Sequence, residues 1–180
     1  MVDEVTSKID RLHALVIGPG LGRCPLVCEA ASRIIQYAVS NQLSLILDAD
    51  ALWMIAQEPY RHLLQHYNKV VLTPNVVEYK RLFSEIETTN NYNNPLARAT
   101  IVQKGQHDAI MRSAKQVLSC QEIGGMKRSG GIGDILAGTL GTLVAWNVIL
   151  GDKNNNKGAA DKDDEEKFDS LALACWTACC

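Results

Sequence analysis

The chain has 180 residues, enough for one domain of ordinary size. Its 47% hydrophobic and 6% aromatic content describes a soluble globular α/β protein rather than a disordered or fibrous one. A formal net charge of −2 leaves no basic surplus and argues against nucleic acid as the principal partner. The polar, acidic stretch from Met1 to Asp10 has the form of neither a signal nor a transit peptide. No apolar run approaches the length of a membrane span, so no membrane partner is expected.

The first predicted strand is Ala14–Ile17, ending in Gly18-Pro-Gly-Leu-Gly-Arg23. A helix is predicted over Leu26–Ser40, where Val27, Ala30, Ala31, Ile34, Ile35 and Ala38 form one apolar stripe. Leu43–Leu47 reads as a fully buried strand that runs into Asp48-Ala49-Asp50. A short helix carrying Leu52, Trp53 and Ile55 follows, then a third strand at Val70–Leu72. Thr73-Pro74-Asn75 is a helix start, and its helix carries Glu78, Tyr79, Arg81 and Leu82. Strands separated by helices predict βαβ units and a mainly parallel sheet.

The pattern changes after Ala99–Gln103, another predicted strand, which leads into Lys104-Gly-Gln-His-Asp108. Ala109–Arg112 and Gln116–Cys120 are close enough to pair as a hairpin. A long helix is predicted from Asp134 to about Leu150, then a flexible charged loop over 151–167, then a helix over Phe168–Cys180. The six cysteines lie at 24, 28, 120, 175, 179 and 180, in no zinc-knuckle spacing and far in sequence from histidine. Free, mostly buried thiols are expected, and no metal site is assigned.

The segment Ser129-Gly-Gly-Ile-Gly-Asp-Ile-Leu-Ala-Gly138 carries the sharpest chemical signal. Glycines expose consecutive backbone N–H groups, and a helix N-terminus adds partial positive charge, which suits phosphate oxygens. An acidic residue in the first turn would repel such an anion. Asp134 therefore reads as a base that takes a proton from a hydroxyl while the backbone holds the phosphate being transferred. The plainer reading, an ordinary turn with an acidic helix start, has equal standing on this segment alone. The same duality holds for Gly18–Arg23, Asp48–Asp50, Thr73–Glu78 and Lys104–Asp108. Each has a purely structural explanation, yet all four follow predicted strands, and ligands of parallel sheets bind at the carboxyl ends of strands.

These motifs together resemble one family, the ATP-dependent NAD(P)H-hydrate dehydratases of the eukaryotic, ATP-using branch. The likeness is carried by Leu12-His-Ala-Leu-Val-Ile-Gly-Pro-Gly-Leu-Gly-Arg23, Leu47-Asp-Ala-Asp-Ala-Leu-Trp53 and Val71-Leu-Thr-Pro-Asn-Val-Val-Glu-Tyr-Lys-Arg-Leu82. Val102-Gln-Lys-Gly-Gln-His-Asp108 and Gly130–Gly138 complete it.

The resemblance implies a ribokinase-like α/β fold, with a mainly parallel central sheet flanked by helices. It implies a reaction in which ATP, arriving with Mg2+, phosphorylates the ring hydroxyl of hydrated NADH or NADPH, after which phosphate leaves. Asp134 is then the catalytic base and also contacts the substrate hydroxyl. Lys104, Gly105, Gln106, His107 and Asp108 form part of the ATP site. Gly124, Gly125, Met126, Lys127, Arg128, Ser129, Gly130, Gly131, Ile132 and Gly133 complete that site. Gly20, Gly22, Asn75, Val76, Val77, Glu78, Tyr79, Lys80 and Arg81 line the hydrate site. Lys127 and Arg128 would supply positive charge beside the glycines, and Glu78 is a candidate to orient the water shell of Mg2+.

Members of the family carry further sequence before the first strand, a helix between Ser84 and Ala99, and a Thr- and Ser-rich final segment. The expectation is therefore a single truncated domain over 1–180, a fragment or shortened isoform with the N-terminal strand and C-terminal end missing. The chain as given is expected in the cytoplasm, and a longer form with a targeting peptide in mitochondria. An oligomer is compatible with this reading. Two competing readings are a ribokinase-like kinase of a small vitamin or sugar alcohol, and an inactive nucleotide-binding remnant.

Overall fold

The computed structural model of the chain describes residues 2–83, 94–112, 115–125, 129–155 and 170–180. Among these residues six strands form one sheet, and their order in space is their order in the chain. They are β1 (Ala14–Ile17), β2 (Ser44–Leu47), β3 (Val70–Leu72), β4 (Thr100–Gln103), β5 (Asp108–Arg112) and β6 (Lys115–Cys120). β1 to β4 are parallel, while β4, β5 and β6 pair antiparallel. The helices are α1 (Val2–Thr6), α2 (Pro25–Ser40), α3 (Asp50–Ile55), α4 (Glu58–Arg61), α5 (Val76–Phe83), α6 (Ile132–Asn155) and α7 (Ser170–Cys179). Ile9–Arg11 and His62–Leu64 are short 3-10 turns.

The topology dictates the layering. Consecutive parallel strands that always step the same way, joined by right-handed crossovers, deliver every connecting helix to one face. That face is packed by α2, α3 and α5, where Ile35, Ala38, Ala51, Leu52, Ile55 and Leu82 meet Leu45, Leu47, Val70, Leu72 and Ile101. The opposite face needs a separate cover, which comes from later in the chain. Ile46, Val71, Val102 and Ile110 pack there against Leu140 and Val144 of α6 and Ala172 and Cys175 of α7. β2 and β3 are thus buried on both sides, which is why, Ser44 apart, they consist of apolar residues.

Helix α6 lies so close to β1 that a Cβ built on Gly141 would sit 2.7 Å from Cγ2 of Val16. Valine is stiff about its first side-chain torsion and cannot simply swing aside. Gly141→Val is therefore expected to destabilise the fold by about 1–3 kcal/mol through overpacking. A denaturant midpoint equal to that of the parent would show that the helix does not rest on the strand.

Three expectations are corrected. The last long helix begins at Ile132, before Asp134, and runs to Asn155. The first five residues of the charged loop expected over 151–167 are therefore helical, while 156–169 lie outside the described residues. No proline intervenes after Leu150, so the intrahelical ladder simply continues past the last apolar residue. The stretch Ile132–Gly151, with mean hydropathy 1.5, is also long and apolar enough to cross a membrane by length and composition. Asp134, Asn147 and four glycines within it conceal that in the linear sequence. Much of its apolar surface faces outward, with Ile135 at 70% and Trp146 at 59% exposure.

Candidate functional site

Four loops leave the carboxyl ends of four adjacent parallel strands, so they stand side by side on one edge of the sheet. Backbone hydrogen bonds stitch each to the next. Asp48 N–H donates to Ile17 O (3.1 Å), Thr73 N–H to Leu47 O (3.2 Å) and Lys104 N–H to Pro74 O (2.9 Å). The four motifs that were separate in sequence thus form one continuous rim.

Asp48 anchors the centre of this rim. It is 2% exposed, and its Oδ1 accepts a hydrogen bond from Lys104 Nζ at 2.8 Å. A buried carboxylate requires such a partner, because removing either member would strand the other charge in a poorly solvated place. The N-terminus of α6 meets the same pair. A Cβ built on Gly133 would lie 3.7 Å from both Asp48 Oδ2 and Lys104 Nζ. Two residues before it, Gly131 has φ +85° and open space at its Cβ position. An ammonium, a helix N-terminus and bare glycine backbone therefore converge, and these donors fit a phosphate group.

Asp134 lies in the first turn of α6, one residue beyond Gly133, and is exposed. Gly124, Gly125, Ser129, Gly130 and Ile132 are also exposed, ahead of or at the helix start. Met126, Lys127 and Arg128 lie outside the described residues.

The Lys104–Asp108 loop is closed by its own last residue, since Asp108 Oδ1 accepts the Gly105 N–H at 2.9 Å. Gln106 and His107 are held outward at the tip of that turn. A Cβ at 105 would stand 3.1 Å from His107 O, a tight contact that would require that carbonyl to shift by a few tenths of an ångström.

Asn75 and Glu78 form a reciprocal helix cap. Asn75 Oδ1 accepts from the N–H groups of Val77 (2.9 Å) and Glu78 (3.0 Å), while Glu78 Oε2 accepts the Asn75 N–H (2.9 Å). That cap accounts for the three-residue spacing and engages the carboxylate that was a candidate for the water shell of Mg2+. Val76 and Val77 are 47% and 66% exposed at the rim, as are Lys80 and Arg81 on the same short helix. Tyr79 turns inward and stacks obliquely on Phe83, with ring centroids 4.6 Å apart.

Sequence reasoning placed Asp48, Asp50 and Arg23 in motifs but assigned them no part in the site. The structure separates the two aspartates by a strained residue, Ala49, at φ +48°. Neither aspartate caps α3. Asp48 turns to Lys104. Asp50 accepts the Gly22 N–H through Oδ2 (3.0 Å) and Arg23 Nε through Oδ1 (2.9 Å). The Arg23 hydrogen bond holds the Asp50 carboxyl below the usual range, and the Gly22 N–H acts in the same direction. A depressed folded value means that this contribution is present at neutral pH and is lost as pH falls through that value. The readable signal was a buried apolar strand running straight into two acidic residues.

Gly20 (φ +65°) and Gly22 (φ +80°) shape the loop that Asp50 holds, and both are exposed. Among the described residues no three His, Cys, Asp or Glu side chains converge as a metal site. All six thiols are free, and burial pushes that of Cys179 well above its ordinary range.

Occupying the 3.7 Å clearance above Lys104 and Asp48 should cost binding rather than folding. Gly133→Val is expected to leave the melting midpoint near that of the parent while abolishing the shift produced by ATP and Mg2+. A ligand that binds only the folded state must raise the midpoint, so a full shift in the variant would show that the glycines are merely a turn.

The sheet, its helical layers and the phosphate-suited helix start define a ribokinase-like α/β protein. The model of the NAD(P)H-hydrate dehydratase family matches residues 1–173, and the chain belongs to that family. It is 36% identical over 189 residues to the ATP-dependent (S)-NAD(P)H-hydrate dehydratase of Mus musculus, covering 99% of this chain and 51% of that one. It is 45% identical over 148 residues to the namesake of Schizosaccharomyces pombe, covering 79% of this chain and 44% of that protein. The chain spans about half the length of the curated relatives it matches. Among solved structures, it superposes with a TM-score of 0.51 on the ADP/ATP-dependent NAD(P)H-hydrate dehydratase of Bacillus subtilis, co-crystallised with ATP/Mg2+. That match has 19% identity and covers 97% of this chain and 71% of the other, so it supports the fold alone.

Proposed function

We propose that the protein repairs hydrated NADH and NADPH by ATP-dependent dehydration. The observation that carries this reading is the meeting of the Gly131–Gly133 helix start with the Lys104–Asp48 pair, beside the Gly18–Arg23 and Asn75–Arg81 loops on the same edge. ATP would supply the phosphoryl group and Mg2+ would neutralise its charge. Gly131, Ile132 and Gly133 donate backbone N–H groups toward the phosphoryl oxygens, and Lys104 supplies a cation held in place by Asp48. Asp134 accepts the proton of the ring hydroxyl as that oxygen forms its bond to phosphorus and the bond to ADP breaks. Loss of phosphate from the ring carbon and of a proton from its neighbour then restores the dihydronicotinamide. Little covalent chemistry is asked of the protein, so the rim contributes by positioning and charge.

The purified protein, incubated with ATP, Mg2+ and hydrated NADH, is expected to restore the NADH absorbance band. A stable phosphorylated product without that band would instead support a small-molecule kinase. A rise in melting midpoint with ATP and no reaction on either substrate type would support a nucleotide-binding remnant. Vigorous repair by residues 1–180 would show that the further segments of the longer relatives are dispensable.

A further inference from the structure

The function proposed above leaves Arg23 unused, yet it is among the most tightly held exposed side chains on the rim. Its Nε donates to Asp50 Oδ1 at 2.9 Å, and its guanidinium lies over the Trp53 ring, 5.0 Å from the centroid. The side chain nevertheless remains 56% exposed. An exposed ion pair adds little to stability, so the needs of the fold do not explain this arrangement. A guanidinium carries five N–H donors in a rigid fork. Among the described residues only its Nε donor is hydrogen-bonded, so the two terminal nitrogens have no hydrogen-bond partner there. Asp50 fixes the Gly22 N–H with its other oxygen, so the fork and the glycine loop move as one piece.

We propose that the terminal nitrogens of Arg23, held by Asp50 and Trp53, form a phosphate subsite for the hydrated dinucleotide. The proposal rests on the dehydratase reading. Arg23 is anchored to Asp50 whereas the Lys104 ammonium is anchored to Asp48, and the unusual backbone of Ala49 between them turns the two carboxylates to different partners. Arg23 therefore serves a different phosphate from the one held by Lys104 and the α6 helix start. A planar fork suits bidentate contact with phosphate oxygens. Because Asp50 offsets the charge of Arg23, the subsite acts through directed hydrogen bonds rather than net charge. Two sources share this chemistry, the pyrophosphate common to both dinucleotides and the additional 2′-phosphate of the NADP form.

The test titrates NADPH, NADH and reduced nicotinamide riboside, which has no phosphate, into the parent and Arg23→Gln, following nicotinamide fluorescence. The variant should bind at least one dinucleotide about tenfold more weakly and the riboside as the parent does. Its melting midpoint checks that the fold is kept. Loss for both dinucleotides assigns the pyrophosphate, and loss for NADPH alone assigns the 2′-phosphate. Equal weakening on all three would make Arg23 a prop for the glycine loop and overturn the proposal. Unchanged binding of all three, or no dinucleotide binding by the parent, would overturn it as well. Turnover of hydrated NADH by the parent is scored separately. Repair with an indifferent Arg23 sinks the subsite alone, whereas dinucleotide binding through Arg23 without repair sinks the reaction alone.

Discussion

Asp134→Asn is expected to lower the turnover of hydrated NADH by about 10²–10⁴-fold, the contribution of a positioned general base. The amide keeps the size and hydrogen-bonding reach of the carboxylate but cannot accept the hydroxyl proton. Its place in the first turn of α6, next to Gly133, means that the substitution leaves the backbone N–H groups of the helix start unaltered. ATP should therefore raise the melting midpoint of the variant as it does that of the parent, and removing a negative charge beside the anion site should not weaken that response. A loss of kcat at constant ATP affinity identifies an interaction made in the transition state. A variant that kept most of its activity would remove Asp134 from the base role.

Gly18→Ala is expected to have the largest structural effect of these substitutions. Gly18 has φ +130°, and a Cβ there would stand 1.7 Å from the carbonyl oxygen of Asp48, 2.8 Å from its carbonyl carbon and 3.0 Å from Cβ of Ala51. The obstacle is backbone at the centre of the rim, so no rotamer change relieves it. Overpacking and a forced positive φ together should cost about 3 kcal/mol or more. For a chain of this size that lowers the melting midpoint by roughly 6–12 °C. Gly20 and Gly22 have positive φ but open space at their Cβ positions. Alanine at either should cost only about 1 kcal/mol. Any relaxation that does accommodate alanine at 18 must displace Asp48, and with it Lys104, so ATP binding should fall together with stability. A midpoint within about 2 °C of the parent would mean that β1 and β2 do not approach so closely.

The amino-acid sequence by itself determined the parallel part of the sheet. Apolar runs such as Leu43–Leu47 and Val70–Leu72, punctuated by Gly-Pro, Asp and Pro-Asn, allow few alternatives to buried strands joined by helices. Each βα boundary carries its own local chemistry, and right-handed crossovers then fix the side on which α2, α3 and α5 lie. The helix start at Thr73-Pro74-Asn75 was legible for the same reason, whereas the reciprocal Asn75–Glu78 cap and the Asp108–Gly105 hydrogen bond emerged only in the structure. The end of α6 was not legible. Gly151 stands where a helix stop would be read, yet α6 runs through it to Asn155, because a glycine weakens the helical ladder without removing a hydrogen bond as a proline would.

Only the tertiary structure decided what the acidic residues do. Asp48 and Asp50 are two positions apart and identical in type, yet one pairs with Lys104, 56 residues away, and the other with Arg23, 27 residues before it. Strand order put Lys104 on the same edge as Asp48, and the unusual backbone of Ala49 sent the two carboxylates to different partners. The arrival of Gly133 above that pair depends on α6 covering the second face of the sheet, a consequence of chain topology that periodicity along α6 does not encode. Local spacing specifies local hydrogen bonds, whereas the pairing of distant charges is set by which strands become neighbours and by the burial that makes an unpaired carboxylate intolerable.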